Sequence, residues 1–453
     1  MPQVIFYHYL NTFKKMRNRY LSKTCCIIGA TLISQSSIFA QEDVMSNKYN
    51  AYWNDSIQQV IDANIEKYRK ADATVVLENV KPGTEVTIRQ TSSDFLFGSN
   101  SFLFDQLDTP EKNQKYRNAF GDLFNAATVA FYWKTLEPEK GHPRYTADSP
   151  YEYRRPATDP VVDYMESRGI NMNGHAIIYG LRLWGHPKWM PEDRKEMEAY
   201  FEAHIRELAE RYQGRVNRWD VVNEAYDQAK RGLMPDDYTY KCYLWAMKYF
   251  PDNVQFNSNE TDLSWGATPR YVEQVRNLID RGIRINNMGI QSHMYTPETA
   301  QNVANGADYL TPQKIMTTLD YYMGAERPIH ISEVTIPAPD GSEKSQQIQS
   351  ILVRNLYRIW FSHPAVMGIT WWNLVDGGAV PSEPSFSGLF DKDMNPKPAY
   401  NVLYDLIHNQ WCTNLTLKAP KDGTIQFRGF KGDYLITWKD RKGHEQSMTC
   451  HVR

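Results

Sequence analysis

The stretch VNRWDVVN, Val216–Asn223, is the part of the sequence that decides the fold. It has the length and the apolar, β-branched content of a strand, and it is followed directly by the carboxylate of Glu224. An amphipathic helical stretch, Pro191–Tyr212, precedes it, and apolar residues at helical spacing follow from Tyr240 to Met247. A strand between two helices predicts a parallel sheet, because parallel strands need crossover connections.

The same unit of strand, polar turn and helix repeats between Phe95 and Gln410. Eight candidate strands fit it: Phe95–Phe102, Ala127–Trp133, Ile170–Tyr179, Val216–Asn223, Val254–Asn259, Met288–His293, Ile329–Val334 and Val366–Trp372. Eight units predict an α/β fold, a (β/α)8 TIM barrel, whose functional residues lie at the carboxyl ends of the strands. An open doubly wound sheet is the alternative, but no glycine-rich phosphate turn follows the first strand.

A small N-terminal extension, residues 41–94, precedes the predicted barrel, residues 95–410. It contains a helical pattern, Ser56–Lys70, and two short strands, Ala73–Val80 and Glu85–Thr91. Because a Lys-Pro-Gly-Thr turn separates these strands, we expect them to form a hairpin packed on the barrel.

A small antiparallel β tail, residues 411–453, is predicted after the barrel. Its strands are Leu415–Leu417, Thr424–Phe430 and Tyr434–Trp438, separated by Asp-Gly and Lys-Gly turns. Two interpretations of the tail remain open, a carbohydrate-binding surface and a structural cap on the barrel, and we favour the cap.

The first 40 residues have the pattern of a signal peptide. Basic residues between Lys14 and Arg19 precede the apolar run Cys25–Ile33, and the small residue Ala40 ends the segment. The run is too short to span a bilayer as a helix. We therefore expect export to the periplasm, the cell surface or the medium; a buried N-terminal helix is the alternative.

Three cysteines remain after this leader. Cys242 lies in an apolar helical pattern and is expected to be a core thiol. Cys412 and Cys450 bracket the tail, where a disulfide and two free thiols are equally compatible with an oxidising compartment. The absence of nearby histidine spacing argues against a structural zinc site.

The composition excludes several classes of protein. The 453 residues include 51 Lys+Arg and 53 Asp+Glu, a formal net charge of −2, which offers no electrostatic footprint for nucleic acid or an anionic membrane. Aromatic residues make up 13% of the chain, which excludes disorder and suggests an excess of flat, half-polar binding surface. We expect a monomer with no nucleic-acid partner and no membrane span.

Two glutamates stand at predicted strand ends. Glu224 follows the fourth strand, and Glu333 ends the ISE stretch of the seventh. Retaining glycoside hydrolysis requires such a pair, one carboxyl to protonate the leaving oxygen and one to attack the anomeric carbon. Either glutamate alone is weak evidence, because a Glu after a strand is more often a helix N-terminal residue; the pair is far more specific.

On these residues the sequence resembles glycoside hydrolase family 10, the retaining endo-β-1,4-xylanases. Its motifs occur in the family's order over roughly two thirds of the chain: WDVVNEA (Trp219–Ala225), IQSHM (Ile290–Met294), ISE (Ile331–Glu333), NGH (Asn173–His175), LEPEKG (Leu136–Gly141) and LFDKDMNPKPAY (Leu389–Tyr400). The resemblance implies hydrolysis of internal β-1,4-xylosidic bonds of xylan, without a cofactor or metal.

The resemblance also implies roles for single residues. Glu224 corresponds to the acid/base and Glu333 to the nucleophile. The residues expected around the sugar at the cleavage point are Asn223, His175, Gln291, His293 and Trp372. Of the two adjacent tryptophans, Trp372 is expected to face the sugar and Trp371 the helices, because neighbours on a strand point to opposite faces.

The sequence departs from the family on the non-reducing side of the cleavage point. Where the family has a Glu-Asn pair and a Lys, this chain has Thr128, Val129 and Tyr132. The family's Trp-His dipeptide is replaced by Tyr179-Gly180. This chain also has Arg182 where the family has a Gln, and Thr335 where the family has an Asp. We therefore expect Tyr132, Tyr179 and Arg182 to contact substrate, with Arg182 reaching an acidic or decorated sugar.

Three hypotheses follow from this pattern. The first is a retaining endo-xylanase with altered specificity, for a branched or uronic-acid-bearing xylan. The second keeps the mechanism but acts on a different β-linked polysaccharide, which the rebuilt strand ends favour. The third is a non-catalytic glycan-binding barrel, which the retention of both carboxylates disfavours.

Overall fold

A computed structural model describes residues 44–225 and 234–453 of the chain. The predicted signal peptide, residues 1–40, lies outside the described residues. Within the part that the structure describes, no helix is both long and apolar enough to cross a membrane.

Fifteen strands are found in the described ranges. In chain order they are β1 (Lys70–Val76), β2 (Glu85–Gln90), β3 (Leu96–Asn100), β4 (Ala126–Ala130), β5 (Asn171–His175), β6 (Ile178–Tyr179), β7 (Arg218–Asn223), β8 (Gln255–Leu263), β9 (Asn287–His293), β10 (Ile329–Thr335), β11 (Val366–Trp371), β12 (Asn414–Lys418), β13 (Thr424–Phe430), β14 (Gly432–Lys439) and β15 (Glu445–Val452).

Helices alternate with the central strands. They are α1 (Asn47–Tyr52), α2 (Asp55–Arg69), α3 (Pro110–Asp122), α4 (Trp133–Leu136), α5 (Thr158–Ser167), α6 (Arg182–Gly185), α7 (Arg194–Tyr212), α8 (Tyr238–Tyr249), α9 (Pro269–Asp280), α10 (Pro297–Ala304), α11 (Pro312–Tyr322), α12 (Glu343–Ser362) and α13 (Pro398–Tyr404). Short 3₁₀ turns lie at Asp308–Leu310 and Met323–Ala325, and a π turn, Asp405–Gln410, follows α13.

Strands β3 to β11 form a closed parallel barrel, so the predicted TIM barrel is confirmed. Neighbours in the sheet follow the chain order, and β5 pairs with both β4 and β7, which closes the ring. The predicted strand Ile170–Tyr179 is divided into β5 and the two-residue β6, which extends the pairing with β7 at Ile178↔Val222 and Tyr179↔Asn223. All residues of β7, β9 and β10 are buried, as expected for strands covered on both faces.

The two faces of β11 explain why two tryptophans follow one another. Trp371 is fully buried beside Tyr357 of α12, with ring centroids 6.5 Å apart. Trp372, the next residue, lies on the other side with Phe102, at 5.2 Å. Alternate residues of a strand point to opposite faces, so one ring joins the helical layer and the other the mouth of the barrel.

The N-terminal strands and the C-terminal strands together form one structure, which we call the β module (β1, β2 and β12–β15). β1 pairs along its whole length with β13, and β2 lies between β12 and β14. The predicted hairpin of β1 with β2 is therefore wrong. Val86 and Ile88 of β2 are completely buried against residues such as Ile436 of β14, and this shared apolar core decides the pairing over the local turn.

The last strand of the β module, β15, has no counterpart among the predicted strands. It pairs with β14 only, and Val452 is its only buried residue. A polar edge strand carries too little apolar alternation to be found from the sequence. The thiols of Cys412 and Cys450 are both free in the structure, so the disulfide alternative is not realised.

Candidate active site

The polar residues at the mouth of the barrel come from four consecutive strands. Asn223 ends β7, Asn259 lies in β8, Gln291 in β9 and Glu333 in β10. Glu224 follows β7 with a positive φ of 53°, and its N–H donates to the Asn259 carbonyl at 2.8 Å. This turn takes the Glu224 side chain off the strand and into the mouth, where the carboxyl ends of parallel strands meet.

One amide joins the two predicted catalytic carboxylates. Gln291 Nε2 lies 3.1 Å from Glu224 Oε1 and 3.1 Å from Glu333 Oε1. The two oxygens are therefore separated by no more than twice this distance. Retaining glycosidases hold their carboxyl groups about 5–5.5 Å apart and inverting enzymes about 6.5–9.5 Å apart, so one amide that bridges an oxygen of each group favours the retaining spacing.

Three side chains hold the carboxylate of Glu333, which is 5% exposed. Its Oε1 accepts from Asn259 Nδ2 at 2.9 Å as well as from Gln291, and its Oε2 lies 3.2 Å from His293 Nε2. His293 is itself oriented by the Thr335 hydroxyl, 2.8 Å from Nδ1. A carboxylate with donors on both oxygens is fixed in orientation, which favours its use as an attacking group.

Glu224 has a different environment from Glu333. Burial raises the pKa of Glu224, and the nearby negative charge of Glu333 raises it further. Hydrogen bonds from Tyr179 and Gln291 oppose this and lower the pKa, but the net direction is upward. The side chain thus keeps its proton to a higher pH than an ordinary glutamate, as a general acid requires.

Asn223 and Asn259 form an amide pair beside the carboxylates. Asn259 Nδ2 donates to Asn223 Oδ1 at 2.7 Å, and the Ser332 hydroxyl donates to Asn259 Oδ1 at 2.6 Å. The buried Nδ2 group of Asn223 has no hydrogen-bond partner among the described residues. It is therefore a donor available to a ligand.

His175 lies in a hydrogen-bonded chain behind the carboxylates. Its Nδ1 is 2.8 Å from Asp220 Oδ2, and its Nε2 is 3.0 Å from the Tyr132 hydroxyl. Burial lowers the pKa of His175, but the hydrogen bond to Asp220 and the charges of Glu333 and Glu224 outweigh it and leave the pKa raised. The fully buried pair with Asp220 fixes the ring orientation.

Aromatic rings form one wall of the mouth. Trp372 packs edge-on against Phe102 and His175, the latter at 5.5 Å. Tyr132 stacks on Tyr179 with centroids 5.9 Å apart. Flat rings with polar tips suit contact with sugar rings, which present apolar faces and hydroxyl edges.

Arg182 does not join this cluster. It begins α6, and its Nη2 donates to the backbone carbonyls of Met190 and Pro191, at 2.8 and 3.1 Å. One end of its guanidinium thus holds the loop before α7, and a contact of Arg182 with an acidic sugar stays a prediction.

The structure adds three residues that the sequence did not single out: Asn259, Asp220 and Arg155. Asn259 ends the predicted strand Val254–Asn259 as Asn223 ends Val216–Asn223, so a strand-end amide was the available signal. Asp220 lies inside β7, and nothing in the local sequence distinguishes it from the other residues of the WDVVNEA motif. Arg155 lies in the long connection after α4, where no strand-end pattern marks it. Within residues 44–225 and 234–453, no cluster of three or more His, Cys, Asp or Glu side chains is arranged to hold a metal.

Comparison with known proteins gives a family and a set of relatives. The model of glycosyl hydrolase family 10 matches residues 90–406. Endo-1,4-beta-xylanase B of Thermotoga neapolitana is 24% identical over 66% of this chain and 84% of its own length. Endo-1,4-beta-xylanase 5 of Arabidopsis thaliana is 28% identical over 68% of this chain and 51% of its own. The crystal structure of native xylanase 10B from Thermotoga maritima superposes with a TM-score of 0.57, at 21% identity, over 70% of this chain and 96% of that one.

Proposed function

The chain belongs to glycosyl hydrolase family 10, and we propose that it hydrolyses internal β-1,4-xylosidic bonds of xylan by a retaining double displacement. One observation carries the mechanism: Gln291 Nε2 is hydrogen-bonded to both Glu224 and Glu333, which favours the short carboxyl separation of a retaining enzyme. The substrate is supported by the curated relatives, whose names describe xylanases.

In the first step Glu333 attacks the anomeric carbon while Glu224 protonates the departing glycosidic oxygen. The negative charge of Glu333 is lost when the ester to the sugar forms, and with it one cause of the raised pKa of Glu224. Glu224 then takes a proton from water, which attacks the same carbon and releases Glu333. Two inversions give net retention of configuration.

The surrounding residues orient the sugar at the cleavage point. The unpartnered Nδ2 of Asn223 is placed to donate to a sugar hydroxyl next to Glu224. Gln291 and His293 hold Glu333 in line for attack. Trp372 and Tyr179 supply aromatic faces on one side of the sugar.

A different β-linked polysaccharide is the second candidate substrate, and a specific contact favours it. The Tyr132 hydroxyl lies 3.0 Å from Nε2 of His175, a residue that the resemblance places around the sugar. Because Tyr132 stands where the family has a different residue, its contact with His175 makes the non-reducing side of this cleft unlike that of the family. The third hypothesis, a non-catalytic barrel, is disfavoured by the complete set of groups around both carboxylates.

The site of action follows from the N-terminal sequence. A basic stretch, an apolar run and a small residue at Ala40 support export by a signal peptide. We extend the proposal to a periplasmic, cell-surface or secreted enzyme that works as a monomer, with a polysaccharide and no nucleic acid as its partner.

Product analysis on matched polymers tests the substrate. Linear xylan, a glucuronic-acid-branched xylan and a mixed-linkage β-glucan are incubated with the purified enzyme, and released oligosaccharides are separated over time. We expect early xylo-oligosaccharides of several lengths from the xylans. Release of products only from the β-glucan would replace the substrate with the second candidate, and release of single sugars alone would contradict internal cleavage.

A further inference from the structure

The connection between α4 and α5 is held rigidly at the mouth of the barrel. Arg144, which is 5% exposed, donates from its guanidinium to the carbonyls of Thr135 and Pro150 at 2.9 and 2.8 Å. It also donates to the carbonyl of Arg155 at 2.9 Å. These three bonds fix the backbone that carries Arg155 before any ligand arrives.

The guanidinium of Arg155 lies on the aromatic wall of the site. Its central carbon is 3.9 Å from the ring centroid of Tyr132 and 4.7 Å from that of Phe102. Tyr132 in turn contacts His175 and stacks on Tyr179, which hydrogen-bonds Glu224. The cation is thus two side chains away from the catalytic acid.

Arg155 has no anionic partner. Within the described part of the chain, the one hydrogen bond of its guanidinium runs from Nη1 to the backbone carbonyl of Arg154, at 2.7 Å. Among the described residues, 44–225 and 234–453, no Asp or Glu oxygen lies within 4.0 Å of its nitrogens. Burial lowers the pKa of Arg155, and the charge of Glu383 offsets only part of this cost of keeping the cation out of water.

A second arginine, Arg154, lies beside Arg155 over the ring of Phe102. Arg154 is buried, donates to Asn373 Oδ1 at 3.0 Å and to the Gly378 carbonyl, and its Nε has no partner in the described part of the chain. Glu383 is the acidic group nearby, and it accepts from Asn373 Nδ2 at 2.7 Å instead of from either arginine. Two guanidinium groups therefore lie over the Phe102 ring, and within the described residues neither has a carboxylate at ion-pair distance.

We propose that Arg155 recognises a carboxylate on the substrate, so that the enzyme selects xylan carrying uronic acid side groups. The fork of N–H groups left free on a partly buried guanidinium matches a carboxylate, and the ligand would supply the missing countercharge. The cation also offsets the repulsion that Glu224 and Glu333 exert on an acidic sugar. This inference rests on the proposed function and assigns to Arg155 the role that the sequence suggested for Arg182.

Binding to the inactive Glu333→Gln variant tests the proposal without turnover. The probes are a xylo-oligosaccharide with one glucuronic acid branch and the same compound with its carboxyl group reduced to an alcohol, measured by calorimetry. A charge-assisted pair predicts roughly tenfold or greater preference for the acid. Equal dissociation constants for the two probes would overturn the proposal.

A second arginine change gives a matched comparison. In the Glu333→Gln background, Arg155→Gln should remove the preference for the acidic probe over the reduced probe. Arg155→Lys should keep part of this preference, because lysine keeps the positive charge but lacks the paired N–H groups of a guanidinium. Arg206→Gln, an exposed helix position, should leave the preference unchanged. Full preference in Arg155→Gln would overturn the assignment. Turnover of linear xylan by the unmodified enzyme tests the proposed function separately, since it does not need the carboxylate.

Discussion

At the scale of single residues, the chemistry depends on two glutamates with unlike surroundings. Glu333 is held by donors on both oxygens, whereas Glu224 is buried beside that charge and has a raised pKa. Surroundings that move the pKa values of two carboxyl groups apart indicate which group is the acid and which is the nucleophile. Gln291, bonded to both, keeps them at a fixed distance.

Replacing each glutamate should have a different effect. Glu333→Gln should abolish turnover of every substrate, because no covalent intermediate forms. Glu224→Ala should lose roughly 10²–10⁴-fold on xylan but much less on aryl xylosides with good leaving groups, because only protonation assistance is removed. Steady-state kinetics on both substrate types measures this. Equal residual activity of the two variants on xylan would exclude these roles.

Tyr179→Phe should change the pH dependence of kcat/KM. The Tyr179 hydroxyl donates to the Glu224 carboxylate and lowers its pKa. Without that bond the charged form is less stable, the pKa rises, and the protonated acid persists to higher pH. The alkaline limb of the kcat/KM profile should therefore move to higher pH.

Tyr295→Phe is the matched control for this shift. Tyr295 stacks on His293, and its pKa is raised by burial and by the charges of Glu333 and Glu224, but within the described residues no hydrogen bond joins it to either carboxylate. The alkaline limb of the kcat/KM profile of Tyr295→Phe should stay at the pH found for the unmodified enzyme. A downward shift in Tyr179→Phe would mean that the hydroxyl supports the protonated form of Glu224 instead.

The residues that could be predicted are those whose position is set locally. Glu224 and Glu333 follow or end strands, and this alone puts them at the mouth. Asn259 and Arg155 act through partners on other strands and loops, so their importance depends on register and loop path. The sequence position of Arg182 predicts a substrate contact, whereas in the fold its Nη2 donates to two nearby loop carbonyls, which depend on the path of the loop.

At the scale of elements, close packing between neighbouring strands limits which side chains fit. Gly174 of β5 faces Trp219 of β7, and a Cβ on Gly174 would lie 2.2 Å from the indole carbon Cε3. Trp219 is completely buried among Phe131, Tyr212 and Phe250, so it has no space to withdraw. The glycine in the NGH motif thus serves strand packing next to His175.

Gly174→Ala should destabilise the barrel by roughly 1–3 kcal/mol, the range for overpacking a dense core. Gly214→Ala is the control, because nothing lies within 4 Å of the Cβ it would add. Urea unfolding followed by tryptophan fluorescence compares the two. A Gly174→Ala protein as stable as Gly214→Ala would show that the Trp219 ring can move.

Strand and helix positions were predictable because their apolar periodicity is local. The eight barrel strands lie within a few residues of their predicted bounds, apart from the break between β5 and β6. The pairing of β1 and β2 was not predictable in this way. Their partners lie at the other end of the chain, and a two-strand hairpin and a shared sheet have the same local pattern.

At the scale of the whole molecule, the strands that precede the barrel and the strands that follow it meet in the β module. Its core contains side chains from both ends, among them Val86, Ile88, Ile425 and Ile436. Neither set of strands can bury its apolar face without the other. The C-terminal segment is therefore an integral part of the structure and not a separable domain.

Deleting residues 414–453 should leave β1 and β2 without partners while keeping Trp411, which stacks on Phe361 at 4.1 Å. We expect loss of soluble protein or a large fall in melting temperature, because Val86 and Ile88 become exposed. Expression yield and thermal unfolding measure this. A truncated protein with unchanged yield and melting temperature would show that the tail is dispensable.

The stereochemistry of hydrolysis tests the central claim most directly. Proton NMR of the first products from xylohexaose, recorded before mutarotation, reports the configuration at the newly formed reducing end. Attack by Glu333 followed by water, with Glu224 as acid and then base, predicts that the β-anomer appears first. Initial release of the α-anomer would show single displacement and would contradict the roles assigned to both glutamates.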